Sequence, residues 1–166
     1  DELMTPPPYD FVARFCDAES KGQLRQVEIP IPPPTAAHKE IWTLLQKGEL
    51  EEARRRSEDM LRQADRGIDT HATFLLGVAL FRMKKLKLAE RCLRMCLSRD
   101  RKHPMAWFFL GTLLRMTERN PAAIKALTQA AKLGFRTFGL HWNLGLAFEK
   151  QNMPRRAIAA YKKAQA

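Results

Sequence analysis

Apolar residues in this chain recur at three- and four-residue steps within segments separated by short polar breaks, the spacing of amphipathic helices packed against one another. The pattern predicts helices over His71–Met83 and Leu86–Ser98. It is clearest in the stretch WFFLGTLLRMTERNPAAIKALTQA, from Trp107 to Ala130. Helix starts are marked as well. Asp69 or Thr70 can cap by accepting the unpaired N–H groups of a first turn, and Pro104, Pro121 and Pro154 stand where a missing N–H costs nothing. Small residues interrupt the apolar stripes at a fixed interval. Gly77, Gly111 and Gly145 are spaced by 34 residues and each follows a leucine (Leu76, Leu110, Leu144), while Ala89, Ala123 and Ala157 repeat with the same step. A glycine inside a helix costs about 1 kcal/mol relative to alanine. Close approach of a partner helix at each glycine–alanine pair offsets that cost, so these are packing residues.

A period of this length marks a solenoid of helix pairs. The pattern resembles the tetratricopeptide repeat, most closely in WFFLG and HWNLG as first helices and in RNPAAIKALTQA and NMPRRAIAAYKKA as second helices. The resemblance implies an all-α fold, a right-handed solenoid of about four antiparallel helix pairs, with repeats near 35–69, 70–103, 104–137 and 138–166. The first repeat is degenerate: KGELEEA, from Lys47 to Ala53, matches the family's interhelical turn, but Ile41 takes the glycine site. The fourth repeat stops at Ala166, in or just after its second helix. Since solenoids finish with a polar capping face, the expectation is that the chain continues or that a partner covers this end.

Residues 1–34 differ from the array. Pro6 to Pro8, Pro30 and Pro32 to Pro34 forbid helix there, whereas YDFVARFCDAE between them suits a short helix with Phe11 and Phe15 on one side. The segment reads as a proline-rich arm packed on the repeats, because its apolar residues exceed what a free linker carries. The arm has three basic and six acidic residues, against 26 basic and 12 acidic in residues 35–166. An acidic leader thus precedes a basic array.

Composition narrows the function classes. With 45% apolar residues the chain can fill a core, no run approaches bilayer length, and no signal segment opens it at Asp1, which suggests processing or a fragment. Three cysteines, Cys16, Cys92 and Cys96, form no disulfide framework and fit a reducing, cytoplasmic compartment. Cys92 and Cys96 lie one helical turn apart but lack CxxC spacing and a histidine pair, so they read as core; no metal and no cofactor is expected. Histidines are scattered, and no acidic pair, nucleophile elbow or phosphate loop is present, so the chain reads as a non-enzyme.

In the family that the chain resembles, the first helix of each pair lines a concave groove for protein ligands. Carried onto this sequence, one groove site is occupied by Phe74, Phe108 and Trp142, with His38 in the degenerate repeat. Neighbouring sites carry Trp42, Val78, Phe81, Met105, Thr112, Met116, Asn143 and Leu146, and Arg82, Arg115 and Lys150 follow the aromatics by eight residues toward one rim. The expected partner is a peptide or helix with apolar or aromatic anchors and acidic residues, the acidic arm itself among the candidates. Chaperone-tail binding is excluded, because Phe108 and Thr112 stand where that subtype carries lysine and asparagine. The alternative is a basic RNA-binding repeat protein that uses Arg54 to Arg56 and RCLRMCLSRDRK to contact phosphates.

Overall fold

The structure, a computed structural model, describes residues 30–166; the expected arm helix lies outside the described residues. Eight α-helices and one short 3-10 turn make up the described chain: α1 Ala36–Lys47, α2 Leu50–Gln63, the turn Asp65–Gly67, α3 Thr70–Arg82, α4 Leu86–Arg99, α5 Pro104–Met116, α6 Asn120–Lys132, α7 Phe138–Lys150 and α8 Pro154–Gln165. There is no strand among the described residues, and the fold is an all-α helical repeat. The chain divides into two compact units, one ending at Arg101 and the other Lys102–Ala166.

In the first unit, α1 pairs with α2 and α3 with α4, while α3 also rests on α1 and α2. In the second, α5 pairs with α6 and α7 with α8, and α7 rests on both α5 and α6. Short links, two residues in the first pair and three in the others, hold the partners of each pair antiparallel. The packing glycines behave as their spacing predicts. A β-carbon on Gly111 would lie 2.6 Å from Leu127 Cγ, one on Gly145 would fall on the Tyr161 ring, and one on Gly77 would meet Cys92 Cβ at 3.2 Å. Ala89, Ala123 and Ala157, the small partners, are buried.

Every pair turns in the same way. Gly48, Lys84, Glu118 and Asn152 have φ of 81°, 63°, 60° and 55°, the left-handed region that favours glycine. The next residue in each case donates its N–H back to the helix just ended: Glu49 to Leu44 O at 2.9 Å, Lys85 to Leu80 O at 2.9 Å, Arg119 to Leu114 O at 2.8 Å and Met153 to Phe148 O at 2.9 Å. These bonds satisfy carbonyls that the helix end leaves unpaired.

Helix starts use side chains. Asp69 accepts from Ala72 N at 2.9 Å, His103 Nδ1 accepts from Ala106 N at 3.0 Å ahead of Pro104, and Thr137 Oγ1 accepts from Leu140 N at 3.2 Å. Asp69 also accepts from His38 Nε2 at 2.8 Å, while His38 Nδ1 accepts from Thr35 N at 2.8 Å. His71 Nε2 donates to Pro32 O at 2.8 Å and its ring meets that of His38 edge-on at 5.2 Å. The network joins the entry of α1 to the start of α3.

Candidate functional site

The surface that the family resemblance assigns to ligands runs along the first helix of each pair: α1 and α3 in the first unit, α5 and α7 in the second. In the first unit most of its expected residues are engaged internally. Phe74 is only 6% exposed and stacks on the half-buried Trp42 at 6.3 Å between ring centroids. Val78 is buried too, and Phe81 is half-buried. Phe74 and Val78 are therefore core residues rather than solvent-facing anchors, because α3 rests on α1, α2 and α4 and so buries nearly its whole circumference. His38 is likewise buried, its ring nitrogens committed to Thr35 and Asp69. Arg82 reaches back to α1, its guanidinium donating to Leu45 O. That bond satisfies a helix-end carbonyl and draws the charge away from a free rim.

The second unit keeps an open face. On α5, Met105, Thr112, Arg115 and Met116 fall on one side by helical spacing and are half-buried. On α7, Trp142, Leu146 and Lys150 share a side; Trp142 is 46% exposed and Lys150 is exposed. Arg115 Nε donates to Asn143 Oδ1 at 2.6 Å, and Asn143 Nδ2 donates to Gly139 O at 2.7 Å. Asn143 is thus buried and consumed in joining α5 to α7, which corrects its assignment as a ligand contact. The same bond fixes Arg115 over the α5–α7 seam.

Phe108 belongs to the packing between pairs. It lies 4.9 Å from the Phe135 ring and 5.4 Å from the Phe109 ring, and its Cζ approaches Gly139 at the start of α7. With Trp107, Ile124, Ala131, Phe135 and Phe148 it packs against a buried cluster of Leu127, Ala130, Leu140, Leu144 and Ala160. Trp142, at the equivalent position one repeat later, instead stacks on Phe138 at 5.9 Å and tilts against Tyr161 at 5.0 Å.

Electrostatics separate the two units. Of the basic residues expected to reach phosphates, Arg54 to Arg56 are paired along α2: Arg54 with Glu51 and with Glu58 at 2.8 Å, Arg55 with Glu52 at 2.8 Å, and Arg56 with Glu52 at 2.9 Å, while in the second stretch Arg94 pairs with Glu90 at 3.0 Å and Arg91, Arg101 and Lys102 are exposed. The three acids of α2 sit three or four residues away on the same helix, the spacing at which helical side chains meet. By contrast α8 carries Arg155, Arg156, Lys162 and Lys163, all exposed, and no acidic residue. His141 nearby is held below its ordinary value, first by burial and then by Lys163 and Arg136. Burial, and then a 2.7 Å hydrogen bond to Glu149, pushes the Tyr161 hydroxyl up to about 12.

Cys92 and Cys96 are buried and in no disulfide, and burial pushes the Cys96 thiol up, the direction of an inert core thiol. Among the described residues no cluster of histidine, cysteine and carboxylate side chains fits a metal, and no helix is long and apolar enough to cross a membrane.

Comparison with known proteins agrees with this architecture. A family model described as Tetratricopeptide repeat matches residues 85–134 and 117–166. No curated protein matches the chain. Solved structures do. A crystal structure of MamA superposes with a TM-score of 0.65 at 20% identity, covering 78% of this chain and 74% of that one. MamA from Desulfovibrio magneticus RS-1 gives 0.67 at 16% identity, covering 96% and 94%. MamA of AMB-1 gives 0.63 at 19% identity, covering 99% and 92%. At these identities the likeness is one of fold.

Proposed function

The chain is a tetratricopeptide-repeat protein, matched over residues 85–166, and on that premise we propose that it is a non-catalytic protein-binding module that receives a peptide or partner helix on the α5–α7 face. The observation that carries this reading is the open stripe of Met105, Thr112, Met116, Trp142 and Leu146, bordered by Arg115 and Lys150. Apolar side chains left half-exposed beside two cations suit a ligand with apolar anchors and nearby carboxylates. Burying one large apolar anchor there is worth about 1.5 to 3 kcal/mol before the costs of ordering. Three such contacts suffice for a specific, reversible complex.

The role is that of an adaptor or assembly subunit. No chemistry is asked of the face: the imidazole of His38 and the carboxylate of Asp69 are occupied in capping, and the thiols of Cys92 and Cys96 are buried. The ion pairs of Arg54, Arg55 and Arg56 within α2 weigh against those three arginines as phosphate contacts. The test is quantitative capture of cross-linked partners by the chain and by a Leu146→Glu/Lys150→Glu variant of unchanged melting temperature. The expected result is loss of the same partners by the variant. Undiminished capture of all of them would refute the assignment of this face.

A further inference from the structure

The repeat period allows one pair of helices to be read against the next. In the second unit, α7 is seated on α5 and α6, its Leu140 and Leu144 buried in the cluster that Phe108, Ile124, Leu127 and Ala131 help to form. Thirty-four residues further along, those four seat positions are Trp142, Ile158, Tyr161 and Gln165, on α7 and α8. Leu127 is fully buried and Phe108 and Ile124 are half-buried, whereas Trp142 is 46% exposed, Ile158 55% and the adjoining Phe138 61%. Tyr161 is half-buried against Trp142, and Trp142, Ile158 and Gln165 are left exposed.

The two seats differ in charge. Pro121 and Thr128 flank Ile124 on its stripe of α6, and their equivalents beside Ile158 are Arg155 and Lys162. An occupant of the second seat therefore meets cations that α7 does not meet. That argues against a second copy placed face to face, which would bring the four cations of α8 against four more. Nor does the outward side of α1 and α2 fit as the occupant. The outward positions of α1 and α2 are Lys39, Glu40, Thr43, Glu51 and Arg55, with no large apolar side chain among them.

We propose that the face formed by Trp142, Ile158 and Tyr161 is a second docking site, which takes an amphipathic helix from a partner protein, with two leucines four residues apart and acidic residues beside them. The leucines take the place that Leu140 and Leu144 take one repeat earlier, and the acids meet Arg155 and Lys162. The site shares Trp142 with the stripe on α5 and α7, but Ile158 and Tyr161 lie on α8 and belong to this site alone, so a change at Ile158 separates the two.

The probe is a helix-stabilised 13-residue peptide with leucines four apart flanked by glutamates, and a lysine-flanked version as control, titrated onto the full chain by calorimetry. The glutamate peptide is expected to bind saturably, more weakly as salt rises, and Ile158→Glu to weaken it about tenfold or more. The Leu146→Glu/Lys150→Glu variant, which tests the other face, leaves this binding in place. Ile158→Glu also leaves the melting temperature unchanged, since the side chain is exposed. Equal binding of both peptides, or binding unaffected by Ile158→Glu, overturns the proposal. So does a drop in melting temperature of that variant, which means that the chain covers the face itself, or a wild-type dimer in sedimentation that the variant disperses, which makes the occupant a second copy.

Discussion

Replacing Gly111 by alanine sets two effects of opposite sign against each other at one buried point. Alanine gains about 1 kcal/mol of helix propensity over glycine. Its methyl group, however, would stand 2.6 Å from Leu127 Cγ, 2.9 Å from Cδ2 and 3.1 Å from the Leu127 backbone nitrogen. Leu127 is fully buried among Ala130, Leu140 and Leu144, so its side chain has nowhere to swing, and the backbone contact can be relieved only by moving α6. Overpacking costs about 1 to 3 kcal/mol, and a 2.6 Å approach that also meets backbone puts this site at about 2 to 3, so the net expectation after the propensity gain is destabilisation by about 1 to 2 kcal/mol. Gly77 is the internal control. There the added methyl meets Cys92 Cβ at 3.2 Å and the Leu93 side chain at 3.3 Å, a conflict of a few tenths of an ångström, and the two effects nearly cancel. Urea unfolding followed by far-ultraviolet circular dichroism should show a midpoint lower by about 0.5 to 1 M for Gly111→Ala and little change for Gly77→Ala. The Gly111→Ala/Leu127→Ala double variant should lose less than the sum of the two single losses, because the clash and the truncated side chain share one space. A Gly111→Ala variant more stable than the parent would refute the reasoning, since propensity would then have outweighed packing.

Glu118→Gly should stabilise the chain by about 1 kcal/mol, because glycine adopts φ of 60° without the steric cost that a β-carbon incurs; the same unfolding assay would show a higher midpoint, and a lower one would mean that the glutamate side chain matters more than its backbone. Tyr161 should titrate near pH 12 by ultraviolet difference absorbance. Its folded value lies above the ordinary 10, so its contribution to stability is complete below about pH 10 and disappears as pH rises toward 12. Glu149→Gln should bring the midpoint part of the way down, leaving the share due to burial, and an unmoved midpoint would remove the hydrogen bond from the account.

The sequence by itself determined the helix pairs. A 34-residue step in glycine and alanine, with prolines at helix starts, is local information, since it states where two backbones must approach and where an N–H is dispensable. The observed helices α3 and α4 lie within one residue of the predicted bounds at each end. The left-handed turn was legible at Gly48 and, less strongly, at Asn152; at Lys84 and Glu118 the residue type conceals a conformation imposed by closing the same pair. Solvent access was decided by tertiary structure alone. Helical spacing gives the direction of a side chain around its own axis but says nothing about what lies in that direction. Phe74, Phe108 and Trp142 share one register, yet Phe74 is core, Phe108 is half-buried against the start of α7, and Trp142 is open. Asn143 changed role for the same reason, held by Arg115 of another helix, whereas the arginines of α2 are held by acids three and four residues away on their own helix, a pairing that the spacing already permits. Each found a partner within reach, and a side chain held by its own fold is no longer free to hold a ligand.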